Sequence, residues 1–265
     1  MTTVVGDTDV VPFVLKNSSF RLPLRSGSRR PHQVDSFIRP CATTQQVESV
    51  PADNFMEQGT PVHSKQLTDA ARRILRPMGL FQKGRSRIWL DDRCWWLGAV
   101  EFQPNSWSQG SYLNVGCMWL WRGFDEGFRV RPFSSFRDEE EFELTAEQLA
   151  KKAAQEVNHY RSLFPNVGAV SSYYLSHRPD GFWENFNAAV ACALAGRPED
   201  AQRFFNHVTE SSDDDRDWVL AAQSDAKHLS AAAPHTERFR QTVAERVRRT
   251  RELHTLPPVS RVDFG

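Results

Sequence analysis

Six of the eight tryptophans of this 265-residue chain lie between Trp89 and Trp121, inside a block of short runs rich in β-branched and aromatic residues. Short polar segments separate the runs, which read SRIWL (86–90), CWWLGAVEFQ (94–103), SYLNVGCMWLW (111–121) and FRVRPF (128–133). Runs of this composition between polar turns are typical of strands, and short links join antiparallel neighbours. The block therefore predicts an antiparallel sheet of about four strands.

The second run shows how the sheet divides its side chains, because successive residues of a strand point to opposite faces. Trp96, Val100 and Phe102 share one face, whereas Leu97 and Glu101 share the other. Neither face is fully polar. We therefore expect other segments of the chain to cover parts of both.

A helix is predicted before the sheet, over residues 64–76. Apolar residues recur there at helical spacing, from Leu67 to Leu75. Ser64 is the expected N-cap, and Pro77 disfavours a helical conformation for the residue before it.

Helical patterns also follow the sheet. Residues 145–164 have helical spacing and begin with a capping box formed by Thr145 and Gln148. Residues 182–208 predict a helical hairpin that resembles a single tetratricopeptide-type unit. A solenoid of such units needs about three of them to bury its faces, so we interpret this one as an ordinary hairpin packed on its neighbours. Two further helices are predicted within residues 215–229 and 235–253.

Together these patterns predict an α+β fold, with an antiparallel sheet preceded by a helix and followed by an α-helical C-terminal half. Residues 1–62 are poor in apolar periodicity and are expected to form a largely disordered arm. Residues 63–180 are expected to form the α+β domain, and residues 181–265 a helical region packed on it. The short run VVPFVL (10–15) could add an edge strand, since its proline disfavours a central position.

Charge and cysteine usage limit the function classes. Lys+Arg and Asp+Glu both number 33, so no global field favours nucleic acid or an anionic membrane surface. No stretch approaches the roughly 20 apolar residues of a membrane span, and the start lacks the features of a signal peptide. The four cysteines are far apart, which predicts neither a metal site nor a disulfide framework. A cytoplasmic protein without a cofactor is the expectation.

The segment ILRPMGLFQKGRSRIWL, followed by VEFQPNSWSQGSYLNVG, carries a family resemblance. It combines a helix ending in L-x-P-x-G, a K-G pair, an aromatic strand, a strand ending in Gln, a serine-containing loop and Y-x-N-x-G. This pattern resembles a bacterial family catalogued as a domain of unknown function, over residues 67–135. The resemblance implies a small α+β domain and implies no reaction.

One candidate site consists of carboxylates. Some metal-dependent nucleases place an Asp and then a Glu-x-Lys on adjacent strands, where the carboxylates hold Mg²⁺. Here Asp91 or Asp92 would supply the first ligand and Glu101 the second, but Gln103 occupies the lysine position. The competing interpretation is that Asp91 and Asp92 form the hairpin turn and that Glu101 is structural.

A second candidate site is the polar loop 104–110 and the residues beside it. Trp107 lies in this loop, and exposed aromatic residues are enriched among the energetically dominant residues of binding sites. Gln103, Asn105 and Asn114 are the polar residues expected to bind with it. The competing interpretation is that Trp107 folds over the sheet edge as part of the core.

The sequence therefore favours a non-enzymatic intracellular module that binds a protein partner. The alternative is a Mg²⁺-dependent nuclease-like enzyme that uses Asp92, Glu101 and Gln103.

Overall fold

A five-stranded antiparallel sheet forms the first part of the described chain, with its strands adjacent in chain order. The strands are β1 (Phe81–Gln82), β2 (Ile88–Asp92), β3 (Trp96–Pro104), β4 (Gly110–Trp119) and β5 (Gly127–Ser135). The computed structural model describes residues 60–104, 110–122, 127–210 and 216–265. The predicted arm up to residue 59, the run at 10–15, and the loop residues Asn105 and Trp107 lie outside these described residues.

Helices precede and follow the sheet. They are α1 (Thr60–Leu75), α2 (Glu139–Leu163), α3 (Val167–His177), α4 (Phe182–Leu194), α5 (Pro198–Glu210), α6 (Asp217–Ala232) and α7 (Thr236–Leu253). The predicted α+β class is thus confirmed, with a helix before the sheet and an α-helical C-terminal half. None of the helices in the described part of the chain is long and apolar enough to cross a membrane.

The register of the central strands confirms that the second and third predicted runs are antiparallel neighbours. Val100 of β3 lies opposite Val115 of β4, and neither residue has any exposed surface. Trp96 and Phe102 are buried on the same face of β3. Helix α2 packs against β3 and β4, so a helix covers this face as expected.

Several predicted helix boundaries are wrong. Helix α1 begins at Thr60, so Ser64 lies inside the helix and is not its N-cap. Helix α2 begins six residues before Thr145, because the Asp138 side chain accepts a hydrogen bond from the Glu141 backbone N–H at 2.8 Å and caps the helix there. Helix α3 was not predicted.

The hairpin prediction for residues 182–208 is confirmed by α4 and α5. Gly196 adopts a φ of 71°, a left-handed conformation that glycine accepts without steric cost, and the chain reverses there. Pro198 then starts α5, where its missing N–H has no intrahelical partner to lose.

A stack of three tryptophans joins the sheet to the helices. The rings of Trp95, Trp119 and Trp121 lie within 10° of parallel, with centroids 5.3 to 5.7 Å apart. The Trp119 indole N–H donates to the Tyr174 hydroxyl of α3 at 2.9 Å, and the Trp121 indole N–H donates to Asn187 Oδ1 of α4 at 3.2 Å. The sheet and the helical half therefore share one hydrophobic core, within the compact unit Pro61–Gly265.

The segment after α7 completes this core. Leu256, Val262 and Phe264 are buried, and the Phe264 ring lies 6.4 Å from that of Trp95. The Val167 N–H at the start of α3 donates to the Phe264 carbonyl at 2.9 Å. The C-terminal segment thus links the first turn of α3 to the tryptophan stack.

Candidate functional site

Asp91 and Asp92 are the last two residues of strand β2, so the interpretation that they form the hairpin turn is wrong for their backbone. The Asp92 side chain does support the turn, because its Oδ1 accepts a hydrogen bond from the Cys94 N–H at 3.0 Å. Their cross-strand partners are Gly98 and Leu97. The turn instead uses the next residues, and the Arg93 N–H donates to the Trp96 carbonyl at 3.0 Å. Aspartate is disfavoured in strands, and a strong partner is therefore required to hold two of them there.

Arginines from the helices supply that partner. Asp91 receives two hydrogen bonds from Arg161 of α2, at 2.9 and 2.8 Å. Asp92 receives two from Arg251 of α7, both at 2.7 Å. Both contacts are bidentate, the strongest form of arginine–carboxylate pairing. The two aspartates therefore anchor α2 and α7 to the sheet.

The pKa values of the two arginines reflect these contacts. Hydrogen bonding to Asp91 raises the pKa of Arg161 above its ordinary value, and burial opposes part of that effect. Hydrogen bonding to Asp92 raises the pKa of Arg251 in the same way. Both guanidinium groups consequently stay charged throughout the pH range in which proteins are studied.

Asp92 and Glu101 share a face of the sheet but do not converge. Asp92 lies opposite Leu97, whereas Glu101 lies opposite Ile88. Leu97 and Glu101 are four residues apart along β3, which is about 13 Å at roughly 3.3 Å per residue. In the ranges that the structure describes, no three His, Cys, Asp or Glu side chains are grouped so that they could hold a metal ion.

The structure does bring together Glu101, Gln103 and Asn114, which we call the polar cluster. Asn114 of β4 lies directly opposite Glu101 of β3. Its Nδ2 donates to Glu101 Oε2 at 3.0 Å and to Gln103 Oε1 at 3.0 Å. Two of the predicted binding residues and the predicted carboxylate therefore form one hydrogen-bonded group.

The hydrogen bonds determine the orientation of each amide in the polar cluster. A carboxylate only accepts, so the Asn114 atom facing Glu101 is its NH₂ group. That NH₂ group also faces Gln103, so Gln103 turns its oxygen inward and its own NH₂ group outward. Asn114 is 1% exposed and Gln103 is exposed. A buried residue thus positions two groups that solvent can reach.

Asn114 also carries an unused acceptor. Its Oδ1 is buried and accepts no hydrogen bond from the residues that the structure describes. Most buried polar atoms in proteins have a partner, and an exception calls for an explanation. The polar cluster is therefore incomplete as a hydrogen-bonded group.

An aromatic pair borders the polar cluster on the same face. Tyr112 lies opposite Gln103, and its ring packs 5.1 Å from that of Phe133 on β5. A β-carbon added to Gly110 would collide with the Phe133 ring and would come within 2.7 Å of the Ser134 carbonyl oxygen, so a larger residue at the start of β4 would displace its neighbours. Tyr112 and Phe133 were not predicted as site residues, although the alternation of β4 places Tyr112 on the same face as Asn114.

The backbone beside the polar cluster is held in place as well. The Ser111 hydroxyl is buried and donates to the Gln103 carbonyl at 3.2 Å. The β4–β5 register shifts between Tyr112 and Asn114, which is the signature of a β-bulge. Bulges are over-represented next to functional sites, where they re-aim a side chain.

Comparison of the chain with family models, with curated proteins and with solved structures finds no match in any of the three. The resemblance of residues 67–135 to a bacterial family of unknown function therefore stays a prediction from the sequence.

Proposed function

We propose that this chain is a non-enzymatic, cytoplasmic module that binds a protein partner through the sheet face around the polar cluster. The supporting observation is that buried Asn114 holds Glu101 and Gln103 in one arrangement. Groups positioned before binding lose little conformational freedom when a partner arrives. A protein surface with fixed, complementary donors and acceptors is the matching ligand.

The polar cluster offers both kinds of hydrogen-bonding group. Glu101 presents a carboxylate acceptor, and Gln103 presents its NH₂ donor. A polypeptide carries the reciprocal groups on every non-proline residue of its backbone, so a peptide segment can satisfy both at once. Asn105 and Trp107 follow Gln103 in the chain and belong to the proposed binding surface, because an aromatic residue often supplies the dominant contact.

The charges in this region support a protein partner over nucleic acid or a metal-assisted reaction. The carboxylate of Glu101 would repel phosphate groups, which dominate the affinity for nucleic acids. Asp91 and Asp92 are both held by arginines. Neither is free to join Glu101 in binding a divalent cation without breaking a bidentate contact.

The test compares capture of proteins from a cell extract by the full chain and by variants. We expect Gln103→Ala and Trp107→Ala to lower capture of the same set of proteins. Trp107→Ala should weaken binding by about 2 kcal/mol, as for a dominant aromatic contact. Leu144→Ala is the matched control, since Leu144 is a 64% exposed apolar residue on α2.

Two outcomes would contradict the proposal. One is a captured set that is the same for the two variants and the wild-type chain. The other is Mg²⁺-dependent cleavage of DNA or RNA that disappears in Glu101→Gln, because that result would favour the nuclease-like alternative.

A further inference from the structure

We infer that the polar cluster binds an arginine side chain of the partner protein. This inference rests on the proposed function and names the chemistry of its central contact. Two observations support it: the charge of Glu101, which Asn114 holds in place, and the aromatic pair beside it.

Glu101 is a partly buried carboxylate without a counter-charge in the described part of the chain. Its Oε2 accepts from Asn114, and none of the ion pairs found between described residues includes Glu101. Asp91 and Asp92, by contrast, are each held by an arginine. Partial burial strengthens the attraction between a carboxylate and an incoming cation, because the local dielectric is lower than in water.

The form of the acceptors favours a guanidinium group. Arginine presents five N–H donors in a rigid plane that can bond both oxygens of a carboxylate. This sheet already binds two arginines in that way, at Asp91 and Asp92.

The aromatic pair provides a wall for the same side chain. Tyr112 and Phe133 lie one rung beyond Glu101 on the same face, since Tyr112 is opposite Gln103. Same-face residues of neighbouring rungs are about 7 Å apart, which an arginine side chain spans. Guanidinium groups stack on aromatic faces, so the pair can contact the plane or the stem of the arginine.

The test uses N-acetyl-L-arginine amide as the probe and the ¹⁵N-labelled full chain as the receptor. Chemical shifts of the side-chain NH₂ groups of Asn114 and Gln103 report binding at the polar cluster. We expect both signals to move in a saturable way. The uncharged N-acetyl-L-citrulline amide should bind at least tenfold more weakly.

Variants locate the contact. Glu101→Gln removes the charge but keeps an oxygen that accepts from Asn114, so the fold should be retained and affinity for the arginine probe should fall at least tenfold. Glu199→Gln is the matched control, because Glu199 is an exposed carboxylate at the start of α5. This control should leave the affinity unchanged.

Three results would overturn the inference: unmoved Asn114 and Gln103 signals, equal binding of the citrulline probe, or equal binding by Glu101→Gln. The capture experiment separates this inference from the proposed function. If capture of proteins depends on Trp107 but not on Glu101, the chain is a protein-binding module and the arginine site is refuted. If the arginine probe binds in a way that depends on Glu101 but no protein is captured, the arginine site is supported and the protein-binding function is refuted.

Discussion

Replacing Arg251 with methionine tests how much the buried ion pairs contribute to the stability of the fold. Arg251 is 3% exposed and donates four hydrogen bonds. Two reach the Asp92 carboxylate, one reaches the Cys94 carbonyl and one reaches the Pro257 carbonyl, at 2.6 to 2.7 Å. Methionine keeps the apolar stem and removes all four donors at once.

The expected loss follows from what the substitution leaves behind. Breaking a buried ion pair by removing one partner costs about 3–5 kcal/mol, because the other charge stays buried without compensation. The Asp92 side chain is 18% exposed and still accepts from the Cys94 N–H at 3.0 Å. Water can therefore reach part of the carboxylate, and we expect a loss near the lower end, about 3 kcal/mol.

The chain supplies a matched control on the same helix. Arg246 of α7 also makes a bidentate contact, with Asp225 of α6. Its side chain is 29% exposed and that of Asp225 is 36% exposed, compared with 4% for the Arg251 side chain. Exposed ion pairs contribute about 0–1 kcal/mol, so Arg246→Met should have a small effect.

Urea unfolding followed by tryptophan fluorescence gives the free energies of unfolding. The double variant Arg251→Met/Asp92→Asn also removes the uncompensated charge. Its loss in the free energy of unfolding should therefore be about 2 kcal/mol smaller than the sum of the losses in the two single variants. If Arg251→Met cost no more than Arg246→Met, burial would not be what makes the Asp92 contact strong, and the reasoning would be refuted.

Two further perturbations test the core that joins sheet and helices. Burial raises the pKa of the Tyr174 hydroxyl above its ordinary value. As the pH rises, the hydroxyl therefore loses its proton in the unfolded state before it does so in the folded state. The free energy of unfolding should consequently fall above about pH 10, by about 1.4 kcal/mol per pH unit. Urea midpoints measured between about pH 9 and 11.5 should fall less steeply in Tyr174→Phe, and equal slopes would contradict the assignment. Phe264 is 1% exposed, so Phe264→Ala should cost about 3–5 kcal/mol in thermal unfolding. Leu253→Ala, at a residue that is 60% exposed, should change stability by no more than about 0.5 kcal/mol. If Phe264→Ala cost as little as Leu253→Ala, the C-terminal segment would not be part of the core.

Local patterns in the sequence were sufficient to predict the fold class. Alternation of apolar residues predicted the strands around Val100 and Val115, and helical spacing predicted α1, α4 and α5. These signals depend on neighbours only a few residues apart, which is why they can be recognised in one sequence. Gly196 and Pro198 marked the hairpin between α4 and α5 for the same reason.

The wrong predictions concern residues whose partners are distant in sequence. Asp91 and Asp92 match the composition of a turn, but Arg161 and Arg251 hold them in a strand from 70 and 159 residues away. Local propensity yields to such tertiary contacts. The burial of Phe264 was missed because its contacts, with Trp95 and Val167, come from distant parts of the chain.

The sequence by itself determined that this chain forms an antiparallel sheet between helices, and it placed Glu101 and Gln103 on one face of a strand. Only the tertiary structure decided which residue meets them. Strand pairing brings Asn114 opposite Glu101, and a shift of the pairing by one residue would have turned its side chain to the other face. The candidate site depends on that register, because cross-strand pairing is a long-range property that no local pattern encodes.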